Sequence, residues 1–300
     1  MHGKTSLALA SMAVVAMFAT PVQAAIVAQW LLDENPIALD STVAADTTAN
    51  HPGQYLDASF FATGAASSVT GHDGTPNSAV QFNKDAFVEV NVPPDDPNDL
   101  NSNGGLLARD PDGFMIELWF RMDENFAGGF YSENLDGSGG PTITFGFTAL
   151  PKLDFTVISE NFWHLEDMPA VDEPASGWNN EKWYYVAGVM DPIDEKKTWI
   201  YLADGAGLID SDSRFRDEPY TNRFRGGGRY DDRVRLNGNY VTSGKAISVD
   251  DVTVYDQPFD PNSYLVQVLG IPEPTSLAIL GISTLLLARR RQAGFLSGNR

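Results

Sequence analysis

Hydrophobic and polar residues alternate with a period of two over Phe114–Met122. Phe114, Ile116, Leu118, Phe120 and Met122 form one set; Met115, Glu117, Trp119 and Arg121 form the other. That spacing predicts a β-strand whose first set faces a core and whose mixed second set faces a partly open surface. Similar short runs rich in β-branched and aromatic residues recur at 26–32, 79–82, 87–92, 142–147, 153–158, 183–190, 198–202 and 247–255. Gly, Pro, Asn and Asp punctuate them, as turns require. No long central segment carries the 3.6-residue period of an amphipathic helix. Many strands with such connections predict an all-β sandwich or jelly roll. The stretch 204–239 reads as the least strand-like part.

The two ends follow a different pattern. Lys4 precedes an apolar run from Leu7 to Phe18, Pro21 breaks it, and Val22-Gln23-Ala24 offers small residues for cleavage. This is the layout of a secretory signal peptide, cut by signal peptidase after Ala24. At the other end Pro272-Glu273-Pro274 precedes an apolar run, Leu277 to Ala288, and then Arg289, Arg290 and Arg291. The run is shorter than the roughly 20 apolar residues that span a bilayer comfortably. The prolines stop a helix from extending backwards past Thr275, and the arginines mark the cytoplasmic side. A docked amphipathic helix is disfavoured because the run is apolar all round.

The order of triplet, apolar run and arginine cluster resembles the PEP-CTERM sorting signal of Gram-negative bacteria. The resemblance implies recognition by an exosortase-type membrane protease. It also implies transient anchoring in the inner membrane, then release to the cell surface or the extracellular space. The expected organisation is a signal peptide at 1–24, one domain at 25–270 and a sorting signal at 271–300. The sorting residues are Pro272, Glu273, Pro274, Arg289, Arg290 and Arg291, and a signal helix and a short C-terminal transmembrane helix flank the β-domain.

Charge and cysteine content narrow the partners. The chain has 20 Lys and Arg against 40 Asp and Glu, a net of −20, and no cysteine. Removing Lys4, Arg289, Arg290, Arg291, Arg300 and Glu273 leaves 15 basic against 39 acidic residues, a net of −24. Such a surface repels nucleic acid and anionic lipid. An exported domain without disulfides must be held by its core alone.

Several segments, in order, carry a second resemblance. They are Ala28-Gln-Trp-Leu-Leu-Asp-Glu34; Asn77-Ser-Ala-Val-Gln-Phe-Asn83 running into Ala86-Phe-Val-Glu-Val90; Phe114-Met-Ile-Glu-Leu-Trp-Phe-Arg121; and Lys182-Trp-Tyr-Tyr-Val-Ala-Gly-Val189 with Thr198-Trp-Ile-Tyr-Leu202. Val249-Asp-Asp-Val-Thr-Val-Tyr255, followed by Pro258-Phe259, completes the set. Together they resemble the laminin-G-like, concanavalin A-like jelly roll of many bacterial surface proteins. The resemblance implies binding of carbohydrate or another extracellular polymer, often with calcium at one rim. Some related jelly rolls are glycan hydrolases or lyases.

Candidate chemistry is sparse. Asp99, Asn101 and Asn103 fall at alternate positions, Gly104 follows, and Asp110 stands where a calcium loop has its closing carboxylate. The four make a candidate calcium site; the alternative is an ordinary Asp/Asn/Gly turn. Glu117 has no acid two positions on. Asp250 and Asp251 are a second cation candidate, with a structural role in bonding neighbouring loops as the alternative; they are adjacent, so a regular strand would point them to opposite faces. No strand therefore carries the paired carboxylates of a glycosidase. His51, His72 and His164 lack the spacing of a zinc site or a triad.

Aromatic faces stack on sugars. Trp163 and Trp178, in the loop-like region 161–180, are the candidate glycan-stacking residues, whereas Trp30, Trp119, Trp183 and Trp199 lie in strand motifs and are expected in the core. The arginines of 204–239 would bind acidic polysaccharide or pair internally with carboxylates. The expectation is an exported, non-catalytic binding protein for extracellular polysaccharide. A glycan-cleaving enzyme and a purely structural matrix component are the alternatives.

Overall fold

A computed structural model describes residues 25–57, 64–83, 86–91, 113–122, 128–133, 143–149, 152–157, 169–191, 197–215, 233–239 and 246–258. Among them are sixteen strands and no helix. The segment 1–24, the loop with Asp99, Asn101, Asn103 and Asp110, Trp163, His164 and the whole sorting tail, with Pro272, Glu273, Pro274, Arg289, Arg290 and Arg291, lie outside the described residues.

The alternating run is strand β7 (Phe114–Met122), and its apolar set is buried in the core as the period of two requires. β7 is the fourth strand along one antiparallel sheet. From one edge that sheet runs β14 (Gly207–Phe215), β13 (Lys197–Asp204), β12 (Tyr184–Asp191), β7, β16 (Ile247–Tyr255), β5 (Ala79–Asn83) and β4 (Ala65–Val69). β1 (Ile26–Trp30) pairs with the C-terminal half of β16, and β5 with its N-terminal half.

The second antiparallel sheet runs β11 (Ala170–Val171), β10 (Lys152–Val157), β9 (Ile143–Ala149), β8 (Gly128–Glu133), β15 (Arg233–Asn239), β6 (Ala86–Asn91), β3 (Gly53–Asp57) and β2 (Val43–Ala44). The two sheets share one hydrophobic core. Aromatic side chains join them: Phe120 of β7 stacks on Phe130 of β8 at 4.7 Å between ring centroids, and Phe114 meets Phe155 of β10 edge-on at 6.2 Å. Burying each such phenylalanine stabilises the fold by about 1.5–3 kcal/mol relative to exposure. The chain is an all-β, two-sheet sandwich.

One expectation needs correction. The stretch 204–239 contains β14 and β15. β14 escapes notice because it is a polar edge strand with exposed and half-buried residues. β15 is short, and its Val234 and Leu236 alternate with Arg233 and Arg235. Its described arginine is paired: Arg235 contacts Glu89 at 2.9 Å and lies 4.7 Å over the Phe87 ring. On β14, Arg214 contacts Asp212 at 2.9 Å. Both therefore follow the internal-pairing reading of this stretch.

Candidate functional site

Strand register fixes what stands on the face of the first sheet that points away from the core. Across β13, β12, β7 and β16 the outward residues fall in rows. Trp199, Val189, Met115 and Tyr255 make one row; Tyr201, Ala187, Glu117 and Thr253 the next; Ala203, Tyr185, Trp119 and Asp250 the third. By the same alternation Trp183 falls beside Arg121, whose guanidinium lies 5.2 Å over its ring, and Ser248 flanks Arg121 on the other side. The middle of this face is a second apolar cluster: Met115, Tyr185 and Tyr201 are buried.

Glu117 sits within that cluster, 7% exposed. Its carboxylate is clamped: the Tyr185 hydroxyl donates to Oε2 at 2.5 Å and the Tyr255 hydroxyl to Oε1 at 2.6 Å. A buried charge survives only when hydrogen-bonded in this way. The clamp also explains why an acid occurs in a strand as apolar as β7.

Beside it, β16 departs from regularity. Asp250 pairs with Trp119 and Thr253 with Glu117, so Asp251 and Val252 together oppose the single residue Leu118. This is a β-bulge, and Asp251 carries the left-handed φ of +49° within it. The bulge overturns the expectation that Asp250 and Asp251 point to opposite faces. Both carboxylates reach the same imidazole: His72 Nδ1 lies 2.9 Å from Asp250 Oδ2 and 3.7 Å from Asp251 Oδ2. The His72 backbone N–H donates to the same Asp250 oxygen at 2.9 Å. His72 in turn stacks on Trp119 at 4.4 Å with rings 7° from parallel, and Trp119 meets Tyr185 edge-on at 5.4 Å.

The loop approaches this closely because residue 71 is glycine. A Cβ there would stand 2.1 Å from Ser78 Oγ and 2.6 Å from Asp250 Oδ2. Electrostatics follow from the crowding. Burial, then the charge of Asp250, push the Asp251 carboxyl up to about 6. Burial opposes charging of His72, but the hydrogen bond and charge of Asp250, with Asp251 and Asp73, outweigh it and raise its pKa.

The aromatic residues exchange roles relative to the sequence expectation. Trp178 packs against the main core, its ring 5.2 Å from Phe147, 5.1 Å from Tyr184 and 5.7 Å from Phe120. Trp178, half-buried, thus has a packing role in the sandwich. Trp30 is fully buried as expected. Trp119, Trp183 and Trp199 are only half-buried, because strand alternation turns them outward. Asp250 and Asp251 were a cation candidate in the sequence, but His72 and the bulge that joins the three were missed; 178 positions separate His72 from Asp250. The Gly71-His72 turn and the doubled aspartate were the available signals.

No protein-family model matches the chain, and no curated protein does. Solved structures are similar in fold. The HCR/D W1238A mutant aligns over 82% of this chain and 51% of its own, at 10% identity and a TM-score of 0.50. The binding domain of botulinum neurotoxin serotype C1 aligns over 81% and 51%, at 14% identity and 0.48. Domain 4 of AbnA, a GH43 extracellular arabinanase from Geobacillus stearothermophilus, seen with arabinotriose, aligns over 82% and 98%, at 15% identity and 0.49. The chain spans about half the length of the first two. At such identities the likeness is one of fold.

Proposed function

We propose that this is an exported, non-catalytic binding protein that holds a neutral extracellular polysaccharide on a laminin-G-like, concanavalin A-like jelly roll. The observation that carries the proposal is the half-open aromatic end of the outward face. Trp183 stands there against Arg121, and Trp119, on the neighbouring strand, against His72 near Asp251. Indole rings stack on the apolar faces of sugar rings, and the charged groups around them offer hydrogen bonds to hydroxyls. The two best acids on the face are committed elsewhere: both oxygens of Glu117 to tyrosines, and Asp250 to His72. That favours gripping over acid–base chemistry.

The net charge of −20 disfavours polyanions, and Arg214 and Arg235 are paired within the fold. The signal peptide and PEP-CTERM-like tail supply the route: signal peptidase, transient membrane anchoring, then an exosortase-type protease. A calcium ion at Asp99, Asn101, Asn103 and Asp110 belongs to the same proposal.

Affinity electrophoresis against a panel of neutral and acidic polysaccharides tests it. Retardation by a neutral polymer, without release of reducing ends, is expected, and Trp183→Ala is expected to weaken it about tenfold, the loss of roughly one aromatic contact. Release of reducing ends would make the protein a glycan-cleaving enzyme. Failure to bind any polymer would leave a structural matrix role.

A further inference from the structure

The cluster at the β16 bulge holds more than a hydrogen bond needs. Asp250 is 2% exposed, and the side chain of Asp251 is 37% exposed. Among the described residues, His72 is the only cationic side chain paired with either carboxylate. Two carboxylates facing one imidazole leave an excess of negative charge in a half-buried place, with Glu117 and Asp73 adding to it. We propose that His72, Asp250 and Asp251 bind one divalent transition-metal ion of the Mn²⁺ or Zn²⁺ class.

The spacing fits. One ligand atom from each residue lies within 4.8 Å of the others. Nδ1 stands 2.9 and 3.7 Å from the two Oδ2 atoms. Ligand atoms about 2.1 Å from a common ion stand roughly 3.0–3.5 Å apart, so small rotations of Asp251 and His72 complete the set. A mixed nitrogen and oxygen set suits a transition ion, whereas calcium takes six to eight oxygens. The exposed side of Asp251 is the entry path, and water or a ligand hydroxyl would fill the remaining positions. Without the ion, the Nδ1–H of His72 donates a hydrogen bond to Asp250 Oδ2. On binding, that proton leaves to water and the lone pair of Nδ1 faces the metal. Three features pre-organise the arrangement: the His72 backbone N–H bond to Asp250, the Trp119 ring under the imidazole, and Gly71. The inference is independent of which polymer the face binds.

The test uses the full chain carrying no histidine tag, stripped with EDTA. Mn²⁺ is titrated by electron paramagnetic resonance and Zn²⁺ by calorimetry. One ion with nitrogen coupling in the Mn²⁺ spectrum is expected per chain, distinct from any ion on the all-oxygen calcium loop. Asp251→Asn and His72→Gln are each expected to weaken binding at least tenfold, and His72→Gln to abolish the coupling. Asp251 is partly exposed, so its amide leaves the fold intact, which circular dichroism verifies. Glu173→Gln, at an exposed carboxylate outside the cluster, is expected to change nothing. Absence of saturable binding, unchanged affinity in both site variants, or loss of binding in Glu173→Gln would each overturn the proposal.

Discussion

Asp46 shows how one residue can organise a loop. Its carboxylate accepts four backbone N–H groups: Gln29 at 2.9 Å and Thr48 at 3.1 Å on Oδ1, and Asn50 at 3.1 Å and His51 at 2.8 Å on Oδ2. The Thr48 hydroxyl adds a fifth bond at 2.5 Å. The cradle places His51, whose carbonyl accepts from the Trp30 indole at 2.9 Å. Burial alone would raise the Asp46 pKa, but the hydrogen bonds outweigh it and hold the group below its ordinary value. A carboxyl depressed in the folded state contributes stability that is full above its unfolded pKa, near 4, and is lost as pH falls through the folded value. Asp46→Asn cannot accept at its amide nitrogen, and should cost about 2–3 kcal/mol at neutral pH. Urea unfolding from pH 7 to pH 2.5 should show the variant losing less stability than the parent as acid is added. Parallel acid limbs would show that Asp46 is not the group responsible.

At the scale of strands, the sandwich depends on how closely its two sheets approach. β12 crosses Phe155 of β10 at Gly188, where a Cβ would stand 2.6 Å from the ring edge. That neighbour is a fully buried aromatic held by Phe114 and Phe145, so it cannot swing aside. Gly188→Ala should therefore cost about 1–3 kcal/mol from overpacking, read as a lower urea midpoint with an unchanged slope. An unchanged midpoint would show that the ring has room to shift.

The same scale shows what the sequence could and could not announce. β7 and β16 were legible to the residue, as apolar or alternating runs nine residues long. β3, β4 and β14 were not, since small and polar residues such as Gly53, Ser67, Ser68, Asp210 and Asp212 carry no period of burial. They are strands because of their partners: β3 pairs with β6, roughly 30 residues or more along the chain, and β4 and β14 each pair with a strand adjacent in sequence. The site failed for a related reason. A bulge is a mismatch between two strands, visible in neither alone, and it is what gathers Asp250 and Asp251 around His72. Trp178 shows the reverse case: a tryptophan in a loop segment packs against the core when the loop folds back onto it.

For the whole molecule, the proposed export signals have to join a cysteine-free, strongly acidic sandwich. The first described residue belongs to the fold: Ala25 N donates to Asp256 Oδ1 at 3.0 Å, and Asp256 N donates to Ala25 O at 3.2 Å. These bonds close the end of the β1–β16 pair, whose register begins at Ile26 and Tyr255. If signal peptidase cuts after Ala24, the Ala25 nitrogen becomes an ammonium facing the Asp256 carboxylate. The amide bond would then become an exposed ion pair, adding at most about 1 kcal/mol. Cleavage there would leave the sandwich intact and seat the new terminus. A cut several residues later would remove part of β1 and expose the C-terminal half of β16. Intact-mass analysis of the exported protein tests both ends at once. The expected species starts at Ala25 and lacks Leu277 to Arg300, with the hydrophobic run and the arginines left in the membrane. A mature start inside β1 would overturn cleavage after Ala24. A species retaining Met1 would show that the N-terminal segment is not a cleaved signal, and one retaining Arg289, Arg290 and Arg291 would show the same of the tail.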